Sequence, residues 1–96
     1  MTIADGAAVA QARTTSYEVI DGEAVIFDDA SEALSVLNPT ATLIWQLCDG
    51  STLEAIVSDL AEEFDVDVAL MHEDVVRTVM HLRQSGLVVA STSWRS

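Results

Sequence analysis

Two short runs rich in β-branched and aromatic residues flank Asp21-Gly22, and beyond Asn38 the apolar residues recur at helical spacing. Tyr17-Glu18-Val19-Ile20 and Glu23-Ala24-Val25-Ile26-Phe27 predict a β-hairpin, because Asp-Gly supplies the two positive φ angles of a type I′ turn. That turn sets the register: Val19 opposes Ala24 and Tyr17 opposes Ile26, all four on one sheet face. Asp28 to Ser31 reads as a polar loop, and Ala33-Leu34-Ser35-Val36-Leu37 as a third short strand at a sheet edge. Residues 1–15 are small and polar without period and are expected to form a flexible tail; residues 92–96 form a second one, leaving 16–91 as the domain.

Helical punctuation follows. Asn38 is a good N-cap and Pro39 suits the first helical position, where no amide donor is needed. A short helix over Thr40–Cys48 should close at Asp49-Gly50, and Ser51-Thr52-Leu53-Glu54 matches a capping box with Ser51 as the cap. Leu53, Ile56, Val57, Leu60, Ala61 and Phe64 then mark an amphipathic second helix. Asp67 is placed to cap a third helix that runs to about Ser85, with Gly86 at C′. Leu87 to Ala90 is either a last short strand or an apolar segment laid on the core. The expected fold class is α+β: a three-stranded antiparallel sheet followed by three helices. Its core should hold Leu34 or Val36 together with Leu43, Ile44, Leu47, Ile56, Leu60, Phe64, Val75, Val79 and Leu82.

The third helix has more apolar surface than one core contact requires. Met71, Val75, Val79 and Leu82 fall in a sector of about 80°, while Ala69, Val76 and Met80 form a second stripe roughly 100° round, bordered by His72 and Arg83. Three uses fit that stripe: a wide buried face, a homodimer contact, or a peptide groove in which Arg83 pairs a carboxylate. Arg77 is expected on the opposite side of the helix.

Charge narrows the partners. Sixteen acids against four arginines and no lysine leave a formal net charge of −12. Nucleic-acid affinity rests on neutralising phosphates with basic side chains, so DNA and RNA are not expected partners. No apolar run reaches the roughly 18–20 residues of a membrane span. The N-terminal alanines lack the basic stretch of a signal peptide, and one cysteine, Cys48, cannot form an internal disulfide; both fit a cytoplasmic protein. Nucleophile, metal and phosphate motifs are missing as well. His72 and His81 lie about 180° apart on one helix and cannot share an ion from it. The four glycines form no phosphate loop. No catalytic site, metal or cofactor is expected. An acidic carrier protein is disfavoured because Ser58-Asp59-Leu60 reverses the Asp-Ser-Leu attachment order.

One stretch carries a family resemblance. Val36-Leu37-Asn38-Pro39-Thr40-Ala41-Thr42-Leu43-Ile44-Trp45-Gln46-Leu47-Cys48-Asp49-Gly50 resembles the signature of the PqqD family, the RiPP recognition elements, in which a strand enters "LN", a helix of small residues begins, and "IW.L.DG" closes it. Ser51–Phe64 and Leu82–Val88 continue the pattern, so the resemblance spans about residues 17–90. It implies a winged-helix-like fold and a non-catalytic function. Such domains bind the leader of a ribosomally made precursor peptide by strand addition and present it to a modifying enzyme, a radical SAM protein among them. The implied site is the edge of the third strand, Ala33, Leu34, Ser35, Val36 and Leu37, together with His72, Val76, Met80 and Arg83 on the third helix. A winged-helix DNA-binding or regulatory protein would share the fold class, but it calls for a basic third helix, and here Glu73 and Asp74 offset Arg77 and Arg83.

Overall fold

A computed structural model describes residues 8–91, with the side chains of the last two excluded. In chain order the elements are β1 (Ala8–Gln11), β2 (Thr15–Ile20), β3 (Glu23–Asp28), β4 (Ala33–Val36), α1 (Pro39–Gln46), β5 (Asp49–Thr52), α2 (Leu53–Phe64), α3 (Val68–Gln84) and β6 (Val88–Ser91). The strands form two antiparallel sheets, ordered β2-β3-β4 and β5-β1-β6.

The β2-β3-β4 sheet has the expected register. Val19 opposes Ala24, Tyr17 opposes Ile26, and the turn places Asp21 at φ 53° and Gly22 at φ 82°. Residues 24 and 26 of β3 are fully buried, whereas their β2 partners stay partly exposed because β2 is an outer strand. Tyr17 compensates by standing edge-on against the Trp45 ring, centroids 4.5 Å apart.

The other sheet corrects the reading of residues 1–15 as a flexible tail. Ala8–Gln11 is the central strand of β5-β1-β6, and Val9 is fully buried. Its hydrogen-bonding partners lie about 40 and 80 positions away in the sequence, at 49–52 and 88–91, so no local period announces it. The same pairing explains a shift of one residue in the α2 cap. Ser51 is drawn into β5, where its hydroxyl donates to Asp49 Oδ1 at 2.7 Å, and Thr52 Oγ1 accepts from the Ala55 amide instead. The caps at Asn38 and Asp67 stand as expected, accepting from Ala41 N and Ala69 N at 2.8 Å each. Leu87–Ala90 resolves as strand, β6 beginning at Val88. Residues 1–7 and 92–96, the remainder of the two expected tails, lie outside the described residues.

One core joins both sheets to the helices: Val9, Ile26, Ile44, Trp45, Leu53, Ile56, Val75, Val79, Leu82 and Val88 are almost wholly buried. Leu60 is buried and Leu47 packs at the margin. Leu34, Val36, Leu43 and Phe64 do not join it. For β4 the reason is alternation. Leu34 and Val36 pair with Phe27 and Val25, on the sheet face opposite the buried Ala24 and Ile26, so both point outward at 66% and 61% exposure.

Two polar details are testable. Asp28 is buried and accepts from Thr14 Oγ1 at 2.6 Å, Ser31 Oγ at 3.0 Å and the Ala30 amide at 3.1 Å. Led by the Thr14 hydroxyl, these bonds hold its pKa below the ordinary 3.8 although burial pushes the other way. A lowered folded-state pKa contributes stability above the unfolded value, and that contribution disappears as pH falls through the folded one. Asp28→Asn should therefore lower the urea midpoint near neutrality and flatten its fall below about pH 4; equal acid sensitivity in both proteins would contradict this. Cys48 is buried and its Sγ donates to Ile44 O at 3.3 Å. Burial, with the neighbouring Asp49 charge, pushes the thiol up to about 12. A disulfide reagent near pH 8 should thus label it only after unfolding.

Candidate functional site

β4 is an edge strand, so one of its long sides is unpaired within the sheet. Which amides face that side follows from a single bond. Leu37 N donates to Ala24 O at 2.9 Å, continuing the register in which Ser35 opposes Ile26 and Val36 opposes Val25. Backbone donors alternate sides along an antiparallel strand, so Ser35, like Leu37, bonds inward to β3, while the Leu34 and Val36 amides face the open edge. An incoming strand would meet Leu34 and Val36 on the outer face, beside Phe27, and the half-buried Ser35 on the inner one.

The outer face is apolar. Leu34 joins Ile20, Val25 and Phe27 around a shallow groove of about 310 Å³, rimmed by Ser16 and Glu18. The hairpin and the third strand together generate this cluster. Phe27 and Ile20 could have been found in the sequence once the β3–β4 register was known.

α3 supplies a second, larger groove of about 630 Å³, lined by His72, Val76 and Met80 with Glu73, Arg77, His81 and Gln84. Val76 and Met80 are partly buried against the core, the same cluster in which Leu37 at the end of β4 is buried. Arg83 stands outside the groove lining. It is exposed in the last turn of α3, where a cation offsets the negative end of the helix dipole. Arg77, expected on the far side of the helix, lines the groove and is ion-paired with Asp74.

The groove differs in charge from the rest of the chain. Two of the four arginines and both histidines sit on α3. Among the described residues no three His, Cys, Asp or Glu side chains gather as a cation site, and no buried polar side-chain atom lacks a partner. No described helix is long and apolar enough to cross a membrane.

An outer strand with an open edge and a helix bearing an apolar, formally neutral groove are the exposed features of this small α+β fold. Solved structures with this architecture include TbiB1 in complex with the TbiA(β) leader peptide, 22% identical over 82% of this chain and 93% of that one at a TM-score of 0.75. Lasso peptide synthetase B1 complexed with its leader peptide is 25% identical over 85% and 98%, with a TM-score of 0.74. The PqqD truncation of Methylobacterium extorquens PqqCD, a functional, stand-alone RiPP recognition element, is 21% identical over 84% and 87%, with a TM-score of 0.69. The family model of coenzyme PQQ synthesis protein D (PqqD) matches residues 23–88, and the chain belongs to that family. No curated protein matches it.

Proposed function

We propose that this domain is a non-catalytic recognition module. It binds the leader segment of a ribosomally made precursor peptide by adding it as a strand to β4, and it presents the peptide to a cytoplasmic modifying enzyme, with a radical SAM protein as the class the resemblance suggests. The observation that carries the reading is the open β4 edge, where the Leu34 and Val36 amides face outward beside exposed apolar side chains. Main-chain bonds to that edge would supply affinity for any extended segment. The outer-face cluster and the α3 groove would select its side chains. His72, Val76 and Met80 would contact the leader directly, and Arg83 would act from the groove's end on an acidic leader residue. A DNA-binding role is disfavoured by the net charge of −12.

Proline scanning of β4 tests the edge. Val36→Pro removes a donor that faces outward and leaves the β3–β4 ladder intact, so it should weaken a fluorescent leader's affinity about tenfold with little change in Tm. Ser35→Pro removes an inward donor and should lower Tm instead. Unchanged leader affinity in Val36→Pro would rule out strand addition at this edge.

A further inference from the structure

β4 lacks the devices that usually keep an exposed strand edge from pairing with another chain. Ala33-Leu34-Ser35-Val36 holds no charged residue and no proline, and its ladder with β3 runs without a bulge. The opposite edge strand of the same sheet, β2, carries Glu18 in mid-strand. No Asp, Glu, Lys or Arg lies between Glu32 and Asp49, although the chain as a whole has a formal net charge of −12. A second copy of so acidic a chain therefore meets little fixed charge along this edge.

The hydrogen bonds already made inside the chain favour one register for such a pair. The outward amides and carbonyls of β4 belong to Leu34 and Val36. In an antiparallel pair with its two-fold axis at Ser35, Leu34 exchanges both bonds with Val36 of the second copy, and Val36 both with Leu34 of the second copy. Centring the pair on Leu34 would match Val36 with Glu32. The Glu32 amide already donates to Asp28 O at 2.7 Å, and its φ of 59° lies outside the strand. Centring it on Val36 would match Leu34 with Asn38, whose carbonyl already accepts from the Thr42 amide at 2.9 Å. Of the three, the Ser35 register alone satisfies Leu34 and Val36 without competing with a bond already made.

The same register matches the side chains. Leu34 and Val36, both largely exposed on the outer face, would lie against each other across the junction. Within the sheet Leu34 already pairs with Phe27 and Val36 with Val25, so the apolar rows of the two copies would join end to end. Glu32 falls opposite Asn38 and not opposite another acid. The strand is only four residues long, so the contact is small and the pairing reversible.

We propose that this protein self-associates reversibly through β4, as an isologous antiparallel pair centred on Ser35, and that the leader competes with the second copy for the edge. The competition rests on the leader-recognition reading of β4; the pairing itself does not. An edge held by a second copy stays covered until a leader displaces it, so apparent leader affinity falls as the concentration of the domain rises.

Sedimentation velocity of the full chain over a concentration series tests the pairing. The parent should show a monomer–dimer equilibrium that added salt strengthens, since screening relieves the repulsion between two chains of net charge −12. Leu34→Glu, at an exposed position and checked for fold by circular dichroism, should weaken the dimer at least about tenfold. Mixed with Val36→Lys it should associate more tightly than either variant alone, because this register sets the new carboxylate opposite the new ammonium. Mixed with Leu34→Lys, at the same net charge, it should gain less. The leader of the adjacent precursor should convert the parent dimer to a one-to-one complex with the monomer. A parent that stays monomeric at every concentration and salt, a Leu34→Glu that dimerises like the parent, or a Val36→Lys mixture no tighter than its parts would overturn the pairing. A leader that binds the dimer without dissociating it would overturn the competition. A leader that fails to bind a parent shown to pair in this way would leave the pairing standing and strike the leader reading of β4.

Discussion

Trp45→Ala is expected to destabilise the domain by about 3–5 kcal/mol, a large share of the roughly 5–15 kcal/mol available to a protein of this size. The side chain is fully buried at the junction of both sheets and the helices. Its Nε1 donates to Leu87 O at 3.1 Å, tying α1 to the residue before β6, and its backbone carbonyl accepts from Gln11 Nε2 at 3.2 Å beside β1. Removing the indole leaves a cavity, leaves the Leu87 carbonyl with the Ala12 amide as its remaining donor, and deprives Tyr17 of its ring partner. Urea unfolding followed by far-ultraviolet circular dichroism measures the loss. A change below about 1 kcal/mol would mean that the sheets and helices do not share one core.

Met80→Asp should weaken leader binding at least about 100-fold, because it places a carboxylate in the middle of an apolar contact. Met80 and Val76 line the same groove and pack partly against the core. Val76→Ala, which only shortens a side chain, should cost a few-fold. Arg77 borders the groove and so cannot serve as an uninvolved control; Asp59→Asn, exposed on α2, serves instead. The folded state of Met80→Asp must match the parent by circular dichroism for the comparison to count. Parent-like affinity in a folded Met80→Asp would remove the helix from the site.

What could be read in the sequence was what local chemistry dictates. Asp21-Gly22 fixes a hairpin register through two positive φ angles, and Asn38-Pro39 and Asp67 place helix starts through side-chain acceptors. Long-range pairing was not legible. Ala8–Gln11 looks like a tail because its value as a strand depends on β5 and β6, far along the chain, and the same pairing moves the α2 cap from Ser51 to Thr52. Leu34 and Val36 look like core because they are large and apolar, yet the β3–β4 register turns Ser35 inward in their place. The second stripe on α3 was visible, since Val76 and Met80 follow helical spacing. That Arg77 would reach into its groove while Arg83 stands outside it depends on side-chain paths that spacing alone does not carry.

The most direct test of leader recognition is a titration of the isotope-labelled domain with the leader of the adjacent precursor, read as amide shifts by NMR. The account predicts that the largest shifts fall on Leu34 to Leu37 and on α3 around His72, Val76 and Met80, with the outward amides of Leu34 and Val36 moving as they gain hydrogen-bond acceptors. Shifts confined to β2 and the β2–β3 turn, with β4 and α3 unmoved, would contradict it.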